Sequence, residues 1–274
     1  MRHPRRVAGA TALATLLVAL GGCATLPRGG ALALGARYVA MGSSFAAGPG
    51  IPASADTPPN RCTRSTDNYA HQLARRRGLT LVDVSCSGAT TAHLLGPWNA
   101  LAPQLDALTP DTALVTVTIG GNDVNYIGGL FAASEGTRIT APAEAAWARL
   151  AQDFDRISAE VRRRALNARL IYVDYVTLLP DGAPCAQTPL SAEDAAASNA
   201  IARRLAAATA EAAKRAGAGL VRTSALSRGH DACAAEPWAT AYLDRDGMRT
   251  PVAYHPNKAA MTAVADALDA SLPR

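Results

Sequence analysis

The stretch Arg37–Gly48 reads R-Y-V-A-M-G-S-S-F-A-A-G and decides the fold class. Its apolar run from Tyr38 to Met41 is closed by a glycine, which is typical of a buried parallel strand that ends in a tight turn. Ser43 and Ser44 follow directly. Open parallel sheets bind ligands in the crevice beyond the carboxyl ends of their strands, so both hydroxyl groups are expected where a ligand would bind. A purely structural Gly-Ser turn is the alternative.

Four further apolar segments read as strands and alternate with helical segments. This alternation predicts a doubly wound parallel sheet of about five strands in one α/β domain, which extends over residues 37–274. A last helix is predicted to open at His255-Pro256-Asn257, with Pro256 in its first turn. The remaining strands are predicted at 80–84, 113–119, 169–176 and 219–223, and the two longest helices at 143–166 and 191–215.

The N-terminus is typical of an export signal. Three arginines precede an uncharged apolar stretch over residues 7–20, which is too short for a membrane-spanning helix. The sequence L-G-G-C that ends at Cys23 resembles the lipobox of bacterial lipoproteins, in which the cysteine is lipidated and becomes the mature N-terminus. We therefore expect a signal peptide over 1–22, a lipid on Cys23 that holds the protein at a membrane, and a tether over 23–36. Ordinary cleavage near Ala24 is the alternative.

The charge of the chain is small. Residues 1–22 carry three of its positive charges, so their removal lowers the net charge from +5 to +2. A value this low argues against nucleic acid as a partner. Two runs of arginines, at 75–77 and 162–164, fall near the ends of predicted helices, where cations complement the helix dipole.

Four cysteines remain for the exported domain if Cys23 carries the lipid. An even number in an exported protein indicates two disulfides. Three pairings are possible, and we favour Cys62 with Cys86 and Cys185 with Cys233, because each bridge then joins loops at one edge of the sheet. Zinc binding is the alternative, but no C-x-x-C motif or nearby histidine pair supports a metal site.

The turns that follow the strands carry the groups needed for acyl transfer. Gly88 follows the second predicted strand, Asn122 follows the third, and His255 stands at the start of the last helix. In this architecture all such turns open at one edge of the sheet, so these residues can converge on Ser43 and Ser44. A hydroxyl nucleophile, a backbone N–H, a side-chain amide and an imidazole base suit an acyl-transfer enzyme. Taken singly, each residue could serve only to shape a turn.

Four motifs, in this order, resemble those of the SGNH or GDSL hydrolase superfamily. The resemblance spans most of the chain and implies a three-layer α/β/α, flavodoxin-like SGNH hydrolase fold, an ester as substrate, and neither metal nor cofactor. The motifs are G-S-S-F-A-A-G from Gly42, C-S-G-A-T-T from Cys86, G-G-N-D from Gly120 and H-P-N from His255.

The resemblance also implies the role of each site residue. By position, Ser44 takes the place of the nucleophile and His255 that of the general base. The N–H groups of Ser44 and Gly88 and the amide of Asn122 take the place of the oxyanion hole. The chain's other histidines match no motif of the family.

Two residues depart from the family's motifs. Ser43 stands where most members have the aspartate of G-D-S, which makes it a rival nucleophile. Val252 stands where the family's D-x-x-H acid would be and offers His255 only a backbone carbonyl, as in some members. The nearest acids in sequence are Asp244 and Asp246. The α/β-hydrolase fold is a rival enzyme class, but the G-x-S-x-G elbow that it requires is absent.

The sequence thus predicts an exported, lipid-anchored and monomeric serine esterase or lipase that cleaves carboxylic esters through an acyl-enzyme. The missing acids support a second hypothesis, that of a catalytically inactive relative that binds a glycan or lipid of the cell envelope. The apolar residues after Asn122 suit either an acyl pocket or the core face of a helix. They are Val124, Tyr126, Ile127, Leu130 and Phe131.

Overall fold

The computed structural model describes Met1 and residues 30–274. Apart from Met1, the predicted signal peptide, Cys23 and the first part of the predicted tether lie outside the described residues. Residues 30–36, the last part of that tether, lie against the domain. The N–H of Gly35 donates to the carbonyl of Gly78 at 2.7 Å, and Leu32 packs on a hydrophobic cluster of the core.

A sheet of five parallel strands forms the centre of the protein, as predicted. Its strand order is β2-β1-β3-β4-β5, so β1 and β3 lie side by side near the middle. Their register aligns Gly42 with Thr118, and the turns after both strands therefore open next to each other. The strands are Arg37–Gly42 (β1), Thr80–Asp83 (β2), Thr112–Thr118 (β3), Arg169–Val173 (β4) and Gly219–Val221 (β5).

Helices cover both faces of this sheet. They are α1 (Ser44–Ala47), α2 (Tyr69–Arg77), α3 (Thr91–Leu95), α4 (Tyr126–Ser134), α5 (Glu144–Arg164), α6 (Ala192–Ala216), α7 (Thr223–Leu226) and α8 (Lys258–Ser271), with a 3₁₀ turn at Gln104–Ala107. In β1, Val39 and Met41 face a cluster that α4, α5 and α6 close, whereas Tyr38 and Ala40 face a cluster that α2 and α8 close. Successive strand residues point to opposite faces, so one apolar run serves both layers. This is the three-layer α/β/α fold expected.

Most boundaries differ from the prediction by one or two residues, and two differences at the carboxyl edge of the sheet have a visible cause. Strand β4 ends at Val173 because the next residue, Asp174, turns its carboxylate to the N–H and hydroxyl of Ser224 at the start of α7. The last helix begins at Lys258, after Asn257, whose side chain accepts from the N–H of Ala260. Pro256 is therefore not in the first turn of the helix, and it forms an isolated bridge with Ala239 instead.

Two disulfides join Cys62 to Cys86 and Cys185 to Cys233, the pairs that the sequence favours. The first ties the loop after α1 to the loop after β2, two residues before Gly88. Over residues 30–274, no helix combines the length and the apolar character needed to cross a membrane.

Candidate active site

Ser44 lies at the sheet edge, as the first residue of α1, directly after the turn that ends β1. Its hydroxyl oxygen is 2.9 Å from Nε2 of His255, although 211 positions separate the two residues in sequence. Only 6% of Ser44 is exposed. As the first residue of a helix it has no intrahelical acceptor for its N–H, and none of the described protein groups accepts from it. Both the hydroxyl and the N–H of Ser44 are therefore available to a bound ester.

His255 lies in a loop that backbone hydrogen bonds hold in place. Its carbonyl accepts from the N–H of Thr240, and the N–H of the neighbouring Tyr254 donates to the carbonyl of Thr240. Ring nitrogen Nδ1 is 2.7 Å from the carbonyl oxygen of Ala253. A carbonyl only accepts, so Nδ1 carries the ring hydrogen and Nε2 is left to accept from the Ser44 hydroxyl.

The acceptor for the ring corrects one expectation. Its carbonyl belongs to Ala253 and not to Val252, the position of the family's acid. Tyr254 has a left-handed backbone with φ of 56°, and this turn separates Ala253 from His255. Asp244 is turned to its own turn, where it accepts from the N–H groups of Asp246 and Met248, and no acid is among the groups that shift the pKa of His255.

Burial lowers the pKa of His255 below its ordinary value of 6.5, and the hydrogen bond to Ala253 opposes this shift. The imidazole is consequently neutral at pH 7. A neutral ring with Nε2 unprotonated is the form that can take a proton from a serine hydroxyl.

Gly88 and Asn122 flank the Ser44 turn on neighbouring loops. Gly88 has φ of +84°, which favours glycine, and none of the described protein groups accepts from its N–H. The side-chain nitrogen of Asn122 donates to the carbonyl of Ala89 at 2.8 Å. An amide has two N–H groups, so this bond orients the side chain and leaves the second N–H for a ligand.

Asp123, next to Asn122, ties these two loops together. Its two carboxylate oxygens both accept from the N–H of Thr91 at 3.1 Å, and one also accepts from the Thr91 hydroxyl at 2.5 Å. Burial raises the pKa of Asp123, and its hydrogen bonds to Thr91 oppose this. The sequence assigns Asp123 no role, although its place in the G-G-N-D motif is a signal that could have found it.

The Ser43 side chain faces away from His255. It is 1% exposed, and its hydroxyl lies 3.4 Å from that of Tyr175. In place of an acid at position 43, Gln104 braces the first turn, because its amide accepts from the N–H of Gly42 at 2.7 Å and donates to the carbonyl at 3.0 Å. Tyr175 braces the third turn by accepting from the N–H of Gly121 at 2.8 Å. Sequence patterns gave no sign of Gln104, and Tyr175 was placed inside the strand predicted at 169–176, so neither contact was expected.

The apolar residues after Asn122 serve the core. Four of them are buried within the cluster that α4 closes, namely Val124, Tyr126, Ile127 and Leu130. Phe131 is partly buried against Tyr254 and Tyr242. The interpretation as a helix core face is therefore correct for Tyr126, Ile127 and Leu130, whereas Val124 enters the core from the turn before α4. In residues 30–274, no group of three or more metal-ligating side chains is close enough together to hold an ion.

Known proteins are similar to this chain over most of its length. Residues 40–263 match the model of the GDSL-like Lipase/Acylhydrolase family. Lipase 2 of Streptomyces coelicolor is 37% identical over 216 residues, which cover 72% of this chain and 73% of that protein. A lipase of Streptomyces rimosus is 31% identical over 249 residues, which cover 87% and 88%. The crystal structure of an extracellular lipase from Streptomyces rimosus superimposes with a TM-score of 0.72 at 27% identity and covers 86% of this chain and 99% of that one.

This chain belongs to the GDSL-like lipase/acylhydrolase family, as the extent of the family match and the identity to these relatives show. It is a carboxylic ester hydrolase of the serine type. The hypothesis of an inactive envelope-binding relative is not favoured.

Proposed function

We propose that the enzyme works through an acyl-enzyme on Ser44, with His255 as its general base. The observation that carries this proposal is the continuous line of hydrogen bonds from the Ser44 hydroxyl to Nε2 of His255 and from Nδ1 to the carbonyl of Ala253. Ser43 lacks such a connection to a base in the described structure, and its hydroxyl faces Tyr175.

In the first half-reaction Nε2 of His255 takes the proton of the Ser44 hydroxyl while the oxygen attacks the ester carbonyl. The negative charge that develops on the carbonyl oxygen meets the N–H groups of Ser44 and Gly88 and the free amide hydrogen of Asn122. His255 then passes its proton to the leaving alcohol, and the acyl group remains on Ser44. In the second half-reaction His255 takes a proton from water, which attacks the acyl-enzyme carbonyl. His255 then returns this proton to the Ser44 oxygen as the acid is released, so both side chains regain their starting protonation states.

The carbonyl of Ala253 sets the tautomer of His255 but carries no full negative charge. It stabilises the imidazolium of the transition state only through its dipole, whereas a carboxylate would add a charge. The lowered pKa of His255 favours the neutral base. Positioning of the ring is therefore the main contribution of this partner.

Lipid esters are the substrates we propose, because the relatives at 37% and 31% identity are named lipases. We also propose that the protein is exported, is anchored through a lipid on Cys23, and acts as a monomer. The export signal and L-G-G-C support the first two proposals, and the extracellular lipase supports export. Mass spectrometry of the mature N-terminus tests the anchor: a lipidated Cys23 is expected, and an unmodified Ala24 terminus would contradict it.

A fluorophosphonate probe, which reacts only with an activated serine, tests the nucleophile. Wild type and Ser43→Ala should both be labelled and hydrolyse a short-chain ester, because the Ser44–His255 pair is intact in each. Ser44→Ala should lose labelling and nearly all hydrolysis. Labelling that persists in Ser44→Ala and disappears in Ser43→Ala would reverse the assignment.

A further inference from the structure

A positively charged side chain borders the proposed oxyanion hole. The guanidinium carbon of Arg61 lies 3.4 Å from the centre of the Trp98 ring. A Cβ built on Gly88 would meet the Trp98 ring at 3.3 Å and a guanidinium nitrogen of Arg61 at 4.0 Å. Arg61 and Trp98 therefore stand directly beside the glycine whose N–H faces the substrate in the proposed mechanism.

The loop that carries Arg61 is fixed to the loop that carries Gly88. The disulfide Cys62–Cys86 joins the two loops one residue after Arg61 and two residues before Gly88. The N–H of Ser87 donates to the carbonyl of Cys62 at 3.2 Å, and the hydroxyl groups of Ser87 and Thr63 are 2.7 Å apart. Arg61 is thus positioned relative to the oxyanion hole by covalent and polar connections.

The charge of Arg61 has no acidic counterpart within the described residues. Its side chain is exposed, and its one hydrogen-bond partner there is the weak acceptor Sγ of Cys86 at 3.7 Å. Arg64, in the same loop, contrasts with it, because it pairs with Asp56 and donates to the carbonyl of Ser85. Arg61 therefore presents most of its five N–H donors to solvent beside the site.

The Trp98 ring beneath Arg61 also stacks on a second side chain. His93 stacks on Trp98 with ring centres 4.0 Å apart and an angle of 12°, and its Nδ1 accepts from the N–H of Thr90 at 2.9 Å. Burial lowers the pKa of His93, and the charge of Arg61 lowers it further, whereas Asp123 opposes the shift. His93 is neutral at pH 7, so Arg61 is the cation of this group.

We infer that Arg61 is a specificity-determining residue that binds a negatively charged group of the ester substrate, a phosphate or a carboxylate a few bonds from the scissile carbonyl. The inference rests on the proposed function of Ser44 and Gly88. A guanidinium suits such a group because its planar fork donates two parallel hydrogen bonds to a pair of anionic oxygens. Stacking on Trp98 holds the fork in place, which lowers the entropy lost when the anion binds.

Matched esters that differ in one charge test the inference. Glycerol 1-butyrate is neutral, and its 3-phosphate carries the anion on the alcohol side. Ethyl butyrate is neutral, and ethyl hydrogen succinate carries a carboxylate on the acyl side. For at least one charged ester, Arg61→Gln should lower kcat/KM about tenfold, mainly through KM, as loss of a charge-assisted hydrogen bond predicts. Both neutral esters should stay within about twofold, since they make no such bond.

Three comparisons complete the experiment. Arg203→Gln, which removes an exposed arginine from α6 far along the chain, should leave all four esters unchanged. Arg61→Lys should recover part of the lost preference, because it keeps the charge but not the fork. Added salt should raise KM for the charged ester in wild type and much less in Arg61→Gln. The charged ester that responds identifies whether the anion lies on the alcohol or the acyl side.

Binding separates this inference from the proposed mechanism. Ser44→Ala cannot form the acyl-enzyme, so calorimetric titration of this variant with the charged esters measures binding alone. Adding Arg61→Gln to it should raise the Kd about tenfold, because the same hydrogen bond to the anion is lost. Equal losses for charged and neutral esters, or an unchanged Kd, would show that Arg61 only braces Trp98 and would overturn the inference. Failure of wild type to hydrolyse either neutral ester would instead refute the proposed function, and the titration would still decide the role of Arg61.

Discussion

The loop that carries His255 and the loop that carries Asn122 each orient a side chain with a backbone carbonyl, but only the second is also fastened to its neighbour by an acidic side chain. His255 is oriented by a neutral backbone carbonyl, that of Ala253, within its own loop. Asn122 is followed by the carboxyl group of Asp123, whose two oxygens make three contacts with Thr91 on a different loop. The site therefore has a carboxyl group where loops must be joined, and lacks one beside the proposed base.

This difference separates two tasks that an acid performs in a serine triad. An acid fixes the tautomer of the histidine and also stabilises its cation. A carbonyl performs the first task. It does not perform the second, because burial lowers the pKa of His255 more than the hydrogen bond to Ala253 raises it. Variants of both loops can test whether orientation alone suffices at His255 and which protonation state of Asp123 joins the loops.

The largest expected effect is at His255. His255→Ala removes the proposed acceptor of the Ser44 proton, so kcat/KM should fall by about 10⁴ or more. Asp244→Asn should stay within about tenfold of wild type, or roughly 1.4 kcal/mol, because Asp244 caps its own turn and does not face the ring. Steady-state hydrolysis of a neutral ester measures both. A loss of about 10⁴ in Asp244→Asn would mean that a carboxylate assists His255 after all.

The sequence predicts the strands of this fold more closely than the contacts of its base. β1 is expected at 38–41 and found at Arg37–Gly42, because a dense apolar run closed by glycine determines it locally. The acceptor for His255 depends on the left-handed turn at Tyr254, a conformation that no local pattern predicts for a tyrosine. The family position therefore indicated Val252, one residue from the carbonyl found.

The hydrogen bonds between loops could not be predicted from the sequence either. Ser44, Gly88 and Asn122 could be named because their motifs follow strands whose ends share one edge of the sheet, and His255 because H-P-N resembles the last motif of the family. Asp123 and Thr91 are 32 positions apart, and only the folded loops bring them together. Each motif is identified separately in the sequence, so the motifs do not indicate which side chain of one loop forms hydrogen bonds with the next loop.

An intermediate effect is expected at Asn122. Asn122→Ala removes one donor to the developing oxyanion, which typically costs about 10²–10³ in kcat, or roughly 3 to 4 kcal/mol. KM should change little, because the donor acts mainly in the transition state. Asn199→Ala is the matched control, since its side chain makes the same type of amide-to-carbonyl bond, to Pro180, on α6. A rise in KM with kcat preserved would instead make Asn122 a residue that binds the ground state.

The smallest effect, and the one that most sharpens the comparison, is at Asp123. Asp123→Asn replaces one acceptor oxygen by a donor that faces the N–H of Thr91, so the two loops should separate slightly. The two loops carry Gly88 and Asn122, the proposed oxyanion donors, and both would move. Their displacement should lower kcat about tenfold while KM stays within about twofold. Kinetics on a neutral ester measures this change. Asp155→Asn, which removes an exposed acid paired with Arg215, is the control and should leave kcat unchanged.

Stability against pH then shows whether Asp123 joins the loops as a protonated carboxyl group or as a charged carboxylate. The Thr91 hydroxyl has one proton but contacts two carboxyl groups, Asp123 at 2.5 Å and Asp153 at 2.9 Å. Both contacts are hydrogen bonds only while one carboxyl group is protonated.

Burial raises the pKa of Asp123 above its ordinary value of 3.8, so the folded protein keeps a proton there that the unfolded chain releases. Stability that depends on this proton is lost as pH rises from 3.8 through the raised pKa. In urea unfolding, the advantage of wild type over Asp123→Asn should therefore shrink as pH rises above 3.8. An advantage that stays constant would mean that the proton of Asp123 does not matter to the joint between the loops, and an advantage that grows with pH would mean that the charged carboxylate holds them.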